Sequence, residues 1–137
     1  MFEPLKRLFG EVPEVSVEEA LALRDKDPNV VFVDVRTPEE IAVSVIPNAI
    51  TKETFEADRN AYRSKTIIPY CTVGSRSGKY TKKLVEDGFK AYNLRGAILA
   101  WVNASQPVVD DKGQPTKRVH VNGPKHNALP EGYEAVW

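Results

Sequence analysis

Apolar residues recur along this chain in two rhythms, and the rhythms alternate. The stretch 30–35, Val-Val-Phe-Val-Asp-Val, is a compact β-branched run of the kind found in strands buried on both faces. The stretch 66–70, Thr-Ile-Ile-Pro-Tyr, is a second such run, and 91–94 a shorter third. Between them the spacing turns helical. Ser16-Val17-Glu18-Glu19 makes a capping box and predicts a helix that buries Val17, Leu21 and Leu23 before Asp27-Pro28-Asn29 breaks it. Thr37-Pro38-Glu39-Glu40 starts a short second helix, with Thr37 as N-cap, Pro38 where its missing N–H is harmless, and Glu40 closing the box. Residues 51–62 are predicted helical with Phe55 and Tyr62 on one side. Residues 77–87 carry Tyr80 and Leu84 inward and Lys79, Lys82 and Lys83 outward, with Gly88 as the stop. A last helix over 96–103 brings Ile98, Leu99, Trp101 and Val102. Pro69 has no N–H to donate, so the strand that contains it needs a local break or a free N–H side.

Strands alternating with helices predict an α/β domain in three layers, a central and mainly parallel sheet flanked by helices, joined by right-handed crossovers. From residue 106 the pattern lapses: 106–137 holds four of the ten prolines and the Asn122-Gly123 turn signal. The chain is therefore read as a domain over 1–107 followed by an extension, 108–137, wrapped on the core or partly loose. Residues 119–121 are expected to add one edge strand to it.

Composition narrows the partners. A length of 137 residues suits a single core. Lys+Arg and Asp+Glu balance at 19 each, so no basic field argues for nucleic acid or an anionic membrane surface. No apolar run approaches a bilayer's thickness. Residues 1–10 lack the continuous apolar stretch and cleavage site of a signal peptide; they read as a short helix packed on the domain, or as a remnant of an organelle-targeting helix. One cysteine forms no internal disulfide, which points to a reducing compartment, the cytoplasm.

That cysteine, Cys71, opens the segment Cys71-Thr72-Val73-Gly74-Ser75-Arg76-Ser77. A strand ends, a short glycine-containing loop follows, and a helix begins. In parallel sheets, sites lie beyond the carboxyl ends of strands. The loop amides can form an anion cradle, and the helix adds the positive end of its dipole. Both favour the nucleophilic thiolate over the thiol. Arg76 brings a permanent charge and a fork of donors suited to an oxyanion, with Lys79 about one turn further on. The competing reading of a lone cysteine is a small buried hydrophobe.

The loop resembles the rhodanese active-site pattern Cys-x-x-Gly-x-Arg-Ser. Val33-Asp34-Val35-Arg36 through Glu39-Glu40 is similar to the family's Asp-Val-Arg-x-x-x-Glu segment, and Ile46-Pro47-Asn48-Ala49 to its Ile-Pro-Gly-Ala element. Gly88-Phe89 through Leu94-Arg95-Gly96-Ala97 to Trp101 resembles the closing Gly-Phe…Leu-x-Gly-Gly…Trp stretch. The resemblance runs in the family's order over 16–107. Ser44-Val45 stand where many members have Gly-His, and Asn48 and Ala97 where glycines are common.

The resemblance implies a rhodanese-like fold and a sulfurtransferase. Cys71 would take a sulfane sulfur from thiosulfate or another persulfide donor and pass it to a thiol, a protein acceptor or cyanide. The loop residues Thr72, Val73, Gly74, Ser75, Arg76 and Ser77 would bind the donor and stabilise the persulfide, with Asp34 and Arg36 in support. No metal and no organic cofactor is implied. Asp34 and Arg36 can equally form a structural pair. His120 and His126, six apart without a third ligand nearby, read as surface histidines. Two other functions stand beside this one: a non-catalytic docking or sulfur-sensing module, and, more remotely, a phosphatase or arsenate reductase of the related fold. The last needs a Cys-x5-Arg loop, one residue longer than the spacing from Cys71 to Arg76.

Overall fold

The computed structural model describes residues 12–121, 123 and 129–137. The reading of residues 1–10 and of His126 lies outside these. A strand pair of period two is set down by the two apolar runs. Strand β1 (Glu14–Val15) leads into helix α1 (Val17–Lys26), β2 (Val30–Asp34), α2 (Pro38–Val43), β3 (Ile50–Thr51), α3 (Lys52–Ala57), β4 (Thr66–Tyr70), α4 (Ser75–Glu86), β5 (Lys90–Ala91), β6 (Asn93–Leu94) and α5 (Ala97–Asn103). Strands β3, β2, β4 and β5 form one parallel sheet in that order.

Alternation along the two central strands builds the three layers. Phe32, Ile68 and Tyr70 point into one core with Val17, Ile98 and Trp101. Val33 and Ile67 point into the other with Phe55, Leu84 and Phe89. Phe32 meets Trp101 edge to face with ring centroids 5.5 Å apart. Among the described residues, no helix is long and apolar enough to cross a membrane.

Both capping boxes form, Ser16 with Glu19 and Thr37 with Glu40. Pro69 sits inside β4 without loss. Tyr70 O accepts from Val35 N and Ile67 O from Tyr92 N, so the Pro69 nitrogen faces the β5 side, where pairing stops at Ile67. Three expectations shift. The helix over 51–62 is interrupted at Asp58 and continues as a 3₁₀ turn, Arg59–Tyr62, which still brings Tyr62 to 5.2 Å from Phe55. Residues 91–94 split between two sheets, since β6 leaves the main sheet to pair with β1. Helix α4 starts at Ser75 rather than Ser77, because Gly74 at φ +119° turns the chain directly into it.

The tail adds to the core. Strand β7 (Val108–Val109) pairs with β8 (Pro115–Thr116), and Val109 bridges Val45. Strand β9 (Arg118–His120) pairs with β10 (Glu134–Val136), and Val108, Val119 and Val121 are buried in the main cluster. The expected edge strand at 119–121 is thus shifted by one residue, and its neighbour is a parallel strand from the chain's last residues.

Asn48 and Ala97 have positive φ, +69° and +53°, which is why glycine suits those two positions of the family pattern. Gly96 is bound more tightly still: φ is +73° and a Cβ there would stand 2.6 Å from the Cβ of Ala100. Gly113 shares the backbone shape, φ +78°, with nothing within 4 Å. Gly96→Ala is expected to cost about 2–4 kcal/mol, strain plus overpacking, and Gly113→Ala about 1 kcal/mol. Urea midpoints of the two variants check this, and equal losses would contradict the steric account.

Candidate active site

The strand register brings three ends level: Asp34 pairs with Thr51 on one side and with Tyr70 on the other. Cys71 is the next residue, so the thiol emerges at the carboxyl edge of the sheet. The loop that follows has its carbonyls turned outward. Ile98 N–H donates to Cys71 O at 3.1 Å and Leu99 N–H to Thr72 O at 3.3 Å, so the first amides of α5 satisfy them. Its N–H groups are left to face the sulfur. Gly74 N–H donates to Cys71 Sγ at 3.1 Å.

Ser77, in the first turn of α4, places its hydroxyl 3.4 Å from Cys71 Sγ and 2.7 Å from Asn93 Oδ1. Asn93 in turn donates from Nδ2 to Gly74 O at 3.1 Å. A hydroxyl has one proton, so Ser77 divides it among the Asn93 amide oxygen, the sulfur and Gly74 O at 3.3 Å. Burial pushes the Cys71 thiol's pKa up, but the Ser77 hydroxyl and the N–H groups of Ser77, Gly74 and Arg76 outweigh it, and the net shift is downward. The loop amides thus act on the sulfur as the sequence suggested, and the Ser77 hydroxyl adds to them.

Arg76 faces a carboxylate. Its Nη1 donates to Glu40 Oε1 at 2.7 Å and its Nη2 to Glu40 Oε2 at 2.9 Å and to Thr72 Oγ1 at 3.2 Å. Thr72 Oγ1 also donates to Glu40 Oε2 at 3.1 Å. Glu40 is the capping-box residue of α2, receiving the Thr37 N–H at 3.0 Å, and its side chain is 3% exposed. Burial alone would raise its pKa; the Arg76 fork and the Thr37 donors overcome this and hold it at about 2. Arg76 keeps 39% of its side chain exposed, so its charge remains accessible at the loop's edge. Val73 and Ser75 are exposed at the apex, while Thr72 and Ser77 are buried beneath.

Asp34 and Arg36 lie under the loop as a buried fork pair. Arg36 Nε donates to Asp34 Oδ1 at 2.9 Å and Nη2 to Asp34 Oδ2 at 2.7 Å, with a further bond from Nη2 to Ser44 O at 2.6 Å. The Tyr70 hydroxyl accepts the Ile46 N–H at 3.1 Å, and the Arg36 guanidinium lies 5.7 Å from the Tyr70 ring. This cluster ties the ends of β2 and β4 to the segment after α2, which makes the pair a foundation of the loop.

Sequence reasoning brought together Cys71, Gly74, Arg76 and Ser77. It missed Asn93 and the second role of Glu40, whose carboxylate was already accounted for by its cap; nothing in a spacing of this length signals that the same oxygens also bind a loop cation. Cys71 itself is buried at the base of the loop, and a thiol of this kind, with its thiolate stabilised and an accessible cation beside it, is equipped to attack an electrophilic centre that carries or leaves as an anion.

Comparison with known proteins gives the same neighbourhood. The profile described as "Rhodanese-like domain" matches residues 16–104. A protein of Allochromatium vinosum named "Sulfurtransferase" is 30% identical over 110 residues, which covers 77% of this chain and all of that protein. The crystal structure of a rhodanese-like domain protein from Staphylococcus aureus superimposes with a TM-score of 0.56 at 31% identity, covering 64% of this chain and 89% of that one. A thiosulfate sulfurtransferase from Pseudomonas aeruginosa shares the fold at TM-score 0.64 and 24% identity, over 84% of this chain and 23% of that longer one.

The Glu40 environment has a measurable consequence. Its carboxyl is held at about 2 in the folded chain, below the ordinary 4.5 that applies once unfolded. The stabilisation, of order 3 kcal/mol, is thus fully present above pH 4.5 and lost as pH falls toward 2. Urea titrations of wild type and Glu40→Gln should differ by a margin that is widest at neutral pH and shrinks steadily below about pH 4.5. A margin independent of pH would contradict the assignment.

Proposed function

The chain belongs to the rhodanese-like domain family, and from that premise we propose that it is a sulfurtransferase carrying sulfur as a persulfide on Cys71. The observation that supports this reading best is the inward row of N–H groups around the Cys71 sulfur, with Gly74 N–H at 3.1 Å. A persulfide places its negative charge one atom further out than a thiolate, where an amide cradle and the N-terminus of α4 stabilise it.

Two half-reactions follow. The Cys71 thiolate attacks the sulfane sulfur of thiosulfate or another persulfide donor. The bond between that sulfur and its carrier breaks, and the carrier leaves with the electron pair, as sulfite in the case of thiosulfate. The enzyme persulfide is then attacked at its outer sulfur by a thiolate, a protein acceptor or cyanide. The Cys71–sulfur bond breaks and the cysteine returns as thiolate. Arg76, anchored by Glu40 yet exposed, lends its charge to the anionic donor. With no second cysteine in the chain, the persulfide is resolved by an external acceptor, a chemistry suited to a reducing compartment such as the cytoplasm.

Intact mass after incubation with thiosulfate tests the proposal. A gain of one sulfur atom is expected in wild type, removed by a following thiol or cyanide and absent from Cys71→Ala. No adduct with thiosulfate or with a small persulfide would overturn it and favour a docking module instead.

A further inference from the structure

The strand that follows the family's matched segment returns to the site. Strand β9 packs on α2 and brings His120 Nδ1 to 4.0 Å from Glu40 Oε2. That nitrogen is buried and takes no hydrogen bond among the described residues. The imidazole as a whole is 20% exposed, so solvent protons reach it. Nothing in the core fold requires a histidine here: its strand neighbours Val119 and Val121 do the packing.

We infer that His120 is a positioning residue for the anionic donor, acting through Glu40 on the charge that the Cys71 loop presents. The surrounding charges can be counted. Glu40 cancels Arg76, and Asp34 cancels Arg36. Glu134 and Arg118, two register positions along the same strand pair, hold each other at 3.4 Å. Glu39 of α2 is exposed to solvent, and the buried Tyr70 hydroxyl stays neutral. With His120 neutral, the cluster around a Cys71 thiolate carries one net negative charge, which opposes an incoming anion. With His120 protonated the count is zero. The imidazolium also draws on Glu40 Oε2, the oxygen shared by Arg76 Nη2 and Thr72, and so loosens the grip of the carboxylate on the loop cation. Glu40, held at about 2, and Arg76, raised above its ordinary value, keep their charges from pH 5 to 8.

The inference rests on the proposed sulfur transfer only for the identity of the anion, and its test needs no sulfur donor. Because Cys71 is the sole cysteine, alkylation rates report it alone. Iodoacetamide is neutral and iodoacetate anionic; in both, the thiolate forms a C–S bond and displaces iodide. Thiol ionisation affects both rates equally and drops out of their ratio. In wild type the ratio of iodoacetate to iodoacetamide rate constants should fall about two- to tenfold as pH rises from 5 to 8. In His120→Gln and His120→Asn it should stay flat near the high-pH value. A flat ratio in wild type overturns the inference whether or not the variants fold. So does an unchanged fall in variants that retain wild-type circular dichroism. A chain that shows the fall in ratio but takes no sulfur from thiosulfate would leave this inference standing and sink the sulfur-transfer proposal.

Discussion

A loop can aim its amide hydrogens at a sulfur atom only if its carbonyl oxygens are satisfied elsewhere. Here they are satisfied by the N-terminus of α5, whose Ile98 and Leu99 amides take the carbonyls of Cys71 and Thr72. Helix amides at that position have no partner of their own, so one end's deficit meets the other's. The fit demands a sharp entrance to α5. Gly96 and Ala97 both have left-handed backbone, and Gly96 passes so close to Ala100 that no side chain fits. The site thus depends on a turn some 25 residues downstream of its cysteine, a separation spanned by helix α4 and two short strands.

The remaining supports follow the same logic of shared deficits. Glu40 serves as the cap of α2 and as the anchor of Arg76. Asn93 Oδ1 accepts the Ser77 hydroxyl and Asn93 Nδ2 donates a hydrogen bond to Gly74 O, which fixes the loop against β6. Asp34 and Arg36 neutralise each other beneath Tyr70, and their bond to Ser44 O ties in the segment where the family's Gly-His is replaced by Ser44-Val45. Each buried charge has a partner with good geometry, which is the condition for keeping ions under an active loop at all.

Much of this was legible in the sequence for physical reasons. Residues 30–35 and 66–70 announced the two central strands because their side chains alternate between two cores, and both capping boxes named their helices because caps are local. The loop from Cys71 to Ser77 stood out because glycine, a cysteine and an arginine fall between a strand and a helix start. Long-range sharing was illegible. No local pattern links Glu40 to Arg76, Asn93 to Ser77, or His120 to Glu40. The tail read as lacking periodicity because β7, β8, β9 and β10 are only two or three residues long. Val119 and Val121 nonetheless complete the main core.

What the account turns on is the stabilisation of the Cys71 thiolate by its own loop and Ser77. The pH dependence of iodoacetamide alkylation measures it directly, with free cysteine as reference in the same buffers. The account predicts an inflection for Cys71 below that of free cysteine, moving upward in Ser77→Ala once the variant is shown to be folded. An inflection at or above that of free cysteine in wild type would mean that burial prevails over the amide cradle, and would contradict it.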